Sequence, residues 1–218
     1  MNSYIKKILS FIDDALFTVK CPYCGRVIKR SEYACDICKT KFPQTAFTNY
    51  AVGGYETVSP FPYNTVFAKA VKRFKFRNNP KLSKQLAFPL SAEILKAFDI
   101  SKIDLITCVP MHRKTLRKRG YNQAELLAKE CAEILQIEYL DTLEKFKENK
   151  FQHQLSGDRR AANVRGVYRV PDKSTVKDKN ILIIDDIITT GNTLGECCRI
   201  LKKSACKDLY CATLCVVI

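Results

Sequence analysis

The sequence predicts an α/β protein, a mainly parallel sheet flanked by helices, with a small cysteine-rich module in front. Three observations point there. The run Ile181, Leu182, Ile183, Ile184 is too short for a helix of its own and reads as a strand buried on both faces. Segments with helical apolar spacing alternate with such runs, as in βαβ units. Two C-x-x-C pairs stand together near the start, at Cys21 and Cys24 and at Cys35 and Cys38.

Composition sets the frame. The 218 residues suit one substantial α/β domain and one small module, divided here as residues 1–50 and 51–218. Hydrophobic residues at 46% supply a core and exclude a disordered chain. A net charge of +15 fits an acidic partner such as nucleic acid, anionic lipid or a polyphosphate ligand, or else a general bias toward lysine. Eleven cysteines, an odd number in mostly apolar contexts, read as buried thiols in a reducing cytosol. That places the chain in the cytoplasm. The first apolar stretch is interrupted by Asp13 and Asp14, so it does not read as a signal peptide. No run approaches the roughly 20 apolar residues of a membrane span.

Taken in order, residues 4–17 place Ile5, Ile8, Leu9, Ile12 and Leu16 on one helical face, a docking helix for the adjoining module. The two knuckles come next, ten residues apart. Each can offer two thiolates to one tetrahedral Zn²⁺, so Cys21, Cys24, Cys35 and Cys38 are expected to hold a structural zinc with no open position. Residues 42–62 are rich in aromatics and turn residues and predict a junction and a first hairpin or edge strand. Residues 63–76 repeat apolar positions at helical spacing beneath a dense basic face. A second helical stretch spans residues 82–98, with Pro89 expected to break or kink it.

Residues 103–110 read as a second buried strand, leading into a cationic loop, Arg113 to Arg119, without an acid. Residues 122–136 form an amphipathic helix. Residues 141–165 are polar and predict a mobile loop, and residues 167–170 a short strand. The last apolar strand runs over residues 209–217.

The chemistry concentrates at residues 181–194. Asp185 and Asp186 are expected at the carboxyl end of their strand, where open α/β sheets place ligands. Thr189, Thr190, Gly191 and Thr193 turn the chain into a helix beginning near Thr193. Free N–H groups, the positive helix end and the hydroxyls suit a phosphate. The acid pair suits ribose hydroxyls, with Mg²⁺ between like charges.

This stretch resembles the phosphoribosyl-pyrophosphate (PRPP) signature of type I phosphoribosyltransferases. Several blocks together resemble the ComF family, phosphoribosyltransferase-like proteins linked to bacterial DNA uptake. They are the paired knuckles, Val109-Pro110-Met111-His112 with Arg119-Gly120-Tyr121-Asn122-Gln123-Ala124, and Gln152 and Leu155 followed by Arg160, Asn163 and Tyr168. Thr115 stands where that family has Arg, and Tyr121 and Tyr168 stand for Phe. The resemblance implies a type I phosphoribosyltransferase-like fold with a zinc-ribbon-like module. It implies that Asp185 and Asp186 are the catalytic pair and hold the ribose. Residues Ile187, Ile188, Thr189, Thr190, Gly191, Asn192 and Thr193 then hold the 5′-phosphate. Met111, His112 and Arg113 approach the pyrophosphate, which Mg²⁺ accompanies, and Gln152, Arg160 and Asn163 belong to a lid.

Two functions from different classes emerge: a phosphoribosyl transfer enzyme, and a competence protein of natural transformation that handles DNA. For the second, Lys72, Arg73, Lys75, Arg77, Arg117 and Arg119, interleaved with Phe74, Phe76, Tyr121 and Phe151, are the candidates for single-stranded DNA. Proteins of the DNA-uptake machinery are the expected partners.

Overall fold

The structure is a computed structural model that describes residues 19–51, 53–76, 79–148 and 164–218. The helix expected over residues 4–17, and the roles expected of Arg77, Phe151, Gln152, Arg160 and Asn163, lie outside the described residues.

The knuckle module comes first. Strands β1 (Val19–Lys20) and β2 (Val27–Ile28) pair antiparallel, and α1 (Asp36–Lys39) carries the last cysteine. Residues 42–62 then supply three strands. β3 (Phe47–Ala51) and β4 (Tyr55–Ser59) form an antiparallel hairpin, and β5 (Phe61–Pro62) comes after it.

Helices α2 (Thr65–Phe76) and α3 (Ser83–Ala97) come next. Pro89 does not break α3, which runs through it. Leu86, Ala87, Leu90 and Ile94 on that helix are fully buried. Their burial outweighs the one backbone hydrogen bond that a proline removes.

The remaining order is β6 (Leu105–Cys108), α4 (Arg113–Arg119), α5 (Gln123–Leu135), β7 (Glu144–Lys145), β8 (Tyr168–Arg169), β9 (Ile181–Ile188), α6 (Asn192–Lys203) and β10 (Leu209–Val216). The main sheet runs β3-β4-β10-β9-β6, with β5 also on β10. β10 is parallel to β9, β4 and β5, and β6 is parallel to β9, so only β3 runs against its neighbour. β7 and β8 make a separate two-stranded ribbon.

Two apolar layers sandwich this sheet. One gathers Phe67, Phe74, Leu86, Leu90 and Leu127 against Leu182 and Ile184, and includes Cys21, Tyr23 and Cys38 of the knuckle. The other gathers Cys197, Cys198, Leu201 and Tyr168 against Ile181 and Ile183. Tyr23 meets Phe42, Phe61 and Phe67 edge-on at 5.0–5.7 Å. All eleven cysteines are free, and the seven beyond the knuckle are buried. No described helix is long and apolar enough to cross a membrane.

Candidate functional site

Strand β9 places the acids. It runs on past residue 184 through both aspartates to Ile188, because Asp185 and Ile187 stay in register with Thr213 and Cys215 of β10. The pair therefore sits within the strand, not beyond its end. Successive strand residues face opposite sides of a sheet, and the two carboxyls part accordingly. Asp186 is buried toward α2, with its Oδ2 2.8 Å from Lys75 Nζ. Asp185 turns the other way and lines a cleft with residues 187–194 and Thr213. The cleft opens to solvent and spans about 300 Å³, the solvent at its mouth included.

The turn is shaped by Gly191, whose φ of +70° is left-handed and free of strain only for glycine. Helix α6 starts at Asn192, one residue before the expected Thr193. Asn192 Nδ2 donates to Thr190 Oγ1 at 3.0 Å, and Gly195 N donates back to Gly191 O at 2.8 Å. Thr189 and Thr190 are left exposed. Their hydroxyls and the first N–H groups of α6 form a ready anion site.

Electrostatics derive from the packing. Burial, and next the Asp186 charge, push the Asp185 carboxyl up to about 7, while Lys75 and Lys145 pull it down. Burial in turn lowers the Lys145 ammonium from its ordinary value. Lys145 lies over the Tyr168 ring, 5.6 Å from its centroid. Neither Lys145 nor Thr213 was singled out from the sequence. Thr213 is a polar break in an apolar strand, a visible cue, but its register against Asp185 was not.

The segment expected at the pyrophosphate is near but separate. Val109 N donates to Ile184 O at 3.0 Å, so the chain leaves β6 beside Asp185. Met111, His112 and Arg113 are not walls of the cleft. The expected cationic loop, Arg113 to Arg119, is instead helix α4. His112 Nδ1 accepts from Lys114 N at 3.4 Å at its start, and Gly120, at φ +84°, closes its end. Arg117, Lys118 and Arg119 fill the last turn, where cations suit the helix dipole. Arg113 reaches Glu144 at 3.5 Å, and Lys114 reaches Glu148 at 3.1 Å, tying α4 to β7 and the residues after it.

The basic face of α2 divides in two. Lys69 and Lys72 are exposed. Arg73 donates to Pro22 O at 2.7 Å, and Lys75 pairs with Asp186. Phe74 is fully buried in the core, which removes it as a stacking platform. Tyr121 is half-buried against it, with ring centroids 5.9 Å apart. Arg117 is exposed, and Arg119 donates to Gln123 Oε1 at 3.2 Å.

The four knuckle sulfurs all lie within 4.8 Å of one another. Four thiolates in that span fit a tetrahedral Zn²⁺ and leave it no open position.

A family profile described as "Phosphoribosyl transferase domain" matches residues 90–217. Competence protein F of Haemophilus influenzae is 27% identical over 194 residues, 86% of this chain and 82% of that protein. DNA utilization protein YhgH of Salmonella typhimurium is 26% identical over 199 residues, 89% of this chain and 83% of that protein. Competence protein ComFC of Streptococcus pneumoniae is 30% identical over 149 residues, 68% of this chain and 63% of that protein.

Proposed function

The chain belongs to the phosphoribosyl transferase family, in its ComF branch, and on that footing we propose that it acts in DNA uptake, binding PRPP with Mg²⁺ together with single-stranded DNA. One observation carries the ligand reading. Asp185, the threonine-rich turn and the start of α6 line a single cleft. A carboxylate for ribose hydroxyls and N–H and O–H donors for a phosphate stand side by side there. The Asp185 carboxylate oxygens in the cleft suit a hard cation, and Mg²⁺ would enter with the pyrophosphate. The role in natural transformation draws on relatives named for competence and DNA utilization. Proteins of the DNA-uptake machinery in the cytoplasm are the fitting partners, and the buried thiols suit that reducing compartment.

Calorimetric titration with PRPP and Mg²⁺ tests the ligand. Asp185→Asn and Asp186→Asn should each weaken binding tenfold or more, the equivalent of about 1.4 kcal/mol. Wild-type protein that gives no binding signal removes the reading.

Exposed Arg113, Lys114, Arg117 and Lys118 on α4 support the DNA contact. Affinity for single-stranded DNA should then fall steeply with salt. Reversing Arg117 and Lys118 to Glu should weaken it for all sequences, and an unchanged affinity removes α4 from the interface.

A second reading, an active transferase, is favoured by Asp185. A carboxyl at about 7 can take or give a proton near neutrality. Pyrophosphate released from PRPP with an acceptor supports it. PRPP binding without turnover on any acceptor excludes it.

A further inference from the structure

Single-stranded DNA asks for aromatic faces beside cations, and two of the aromatics expected to supply them are engaged elsewhere. Phe74 is fully buried, and the Tyr121 hydroxyl donates to the Phe74 carbonyl. A different pair stands at the surface, where the knuckle meets α3. The rings of Tyr33 and Phe88 are stacked, with centroids 4.6 Å apart and an interplanar angle of 15°.

Helix α3 sets Phe88 outward. Leu86, Ala87, Pro89 and Leu90 on either side of it are buried, yet Phe88 is 49% exposed. Tyr33 covers one face of the ring, so the exposure belongs to the rest of it. The pair is also held in place. Tyr33 lies two residues before Cys35 of the knuckle, and its ring meets Phe42, which meets Tyr23 and Phe61 in the core. An aromatic face fixed before a ligand arrives gives up little freedom on binding.

Cations flank this face. Lys81 and Lys84 are exposed, and Lys84 stands one helical turn before Phe88. No acid occurs between Glu56 and Glu93. On the knuckle side the Lys39 ammonium lies 5.4 Å from the Tyr33 centroid, with Asp36 paired to it at 3.0 Å. Residues 19–42 carry six cations against two acids, an excess that zinc-bound thiolates would offset in part.

We propose that Phe88, backed by Tyr33, is a base-stacking platform for single-stranded DNA, with Lys81 and Lys84 serving the phosphates. The proposal rests on the DNA reading above and adds to it a contact of another kind: α4 supplies charge, and Phe88 supplies a face for a base.

The chain has no tryptophan, so Phe88→Trp creates a lone fluorescent reporter. Oligothymidine should quench it as bases stack. An abasic strand of the same length should bind through its phosphates and leave the emission unchanged. Phe88→Ala should weaken oligothymidine binding about fivefold or more, the low end for one base stacked on an aromatic ring. Its affinity for the abasic strand, and the slope of affinity against salt, should match wild type. Phe88→Tyr, which keeps the face, should bind as wild type does. Reversing Arg117 and Lys118 should instead flatten the salt slope. Oligothymidine affinity unchanged in Phe88→Ala overturns the platform and leaves the DNA reading standing. An equal loss on the abasic strand does the same, since no base is involved. Self-association without DNA that Phe88→Ala abolishes also overturns it and gives the face to a second copy of the chain. Wild-type protein that binds no single-stranded DNA overturns both the platform and the DNA reading.

Discussion

The hydroxyl oxygens of Ser59 and Thr213 lie 2.7 Å apart in the core, joining positions 154 residues apart in sequence. Thr213 is the β10 partner of Asp185 and a wall of the cleft. Ser59, Thr213 and Asp185 thus form a polar row across β4, β10 and β9. Thr213→Val would keep the shape but leave the Ser59 hydroxyl buried without that partner. It should cost about 1–3 kcal/mol in chemical unfolding and weaken ribose-phosphate binding. A variant as stable as wild type would mean that the row contributes nothing.

Gly191 provides a second test. Its φ of +70° is penalised for any residue with a Cβ by about 1–2 kcal/mol. Gly191→Ala should lower stability by that amount, or else move the backbone and misplace the N–H groups of the turn. Either way PRPP affinity should drop, as calorimetry would read. Full affinity with full stability would show that the turn tolerates a side chain.

The knuckle makes a compositional prediction. Metal analysis of the purified protein should find one zinc per chain, and Cys24→Ser or Cys35→Ser should abolish stoichiometric binding. Chelation should expose up to four rapidly reacting thiols, since Cys108, Cys131, Cys197, Cys198, Cys206, Cys211 and Cys215 are buried. Because Cys21, Tyr23 and Cys38 belong to the main core, metal removal should also lower the unfolding midpoint of the whole protein. A midpoint indifferent to chelator would separate the module from the core energetically.

Asp185 sets a pH dependence. Its carboxyl is raised to about 7 in the folded state, against roughly 3.9 when unfolded. Between those values the folded chain holds the extra proton. Stability in the absence of ligand should therefore fall as pH rises from about 4 to about 7, then level off. Asp185→Asn should flatten this slope and be more stable than wild type at pH 8, at the expense of ligand binding. Denaturant unfolding of both proteins at pH 5 and pH 8 reads the difference. Equal slopes would assign the dependence to other groups.

Much of this was legible in the chain. The run of Ile and Leu and the Thr-Thr-Gly turn announced strand, turn and helix start in order, because each rests on local periodicity or turn chemistry. The paired knuckles were equally plain, since ligand spacing is itself local. Three features went beyond the local reading. Pro89 sits inside a helix, residues 113–119 are helical, and β9 continues through its acids. For two of them distant partners outweigh local preference: a buried apolar face for α3 and the β10 ladder for β9. Helix α4 is instead local in origin, with His112 at its start, Gly120 at its end and good helix formers between them.

The basic face of α2 shows the boundary most clearly. Counting charges gives a cationic stripe fit for phosphates. Packing sends Arg73 to Pro22 and Lys75 to Asp186, leaving Lys69 and Lys72 outside. By itself the sequence determined the α/β class, the four thiols and the acid-and-threonine pocket, since residue type and short spacing suffice for those. Only the tertiary structure decided which acid faces the cleft, which lysine holds its neighbour, and which cations remain for a partner. Those depend on sheet register and helix docking, which join residues far apart in sequence and leave no periodic trace in it.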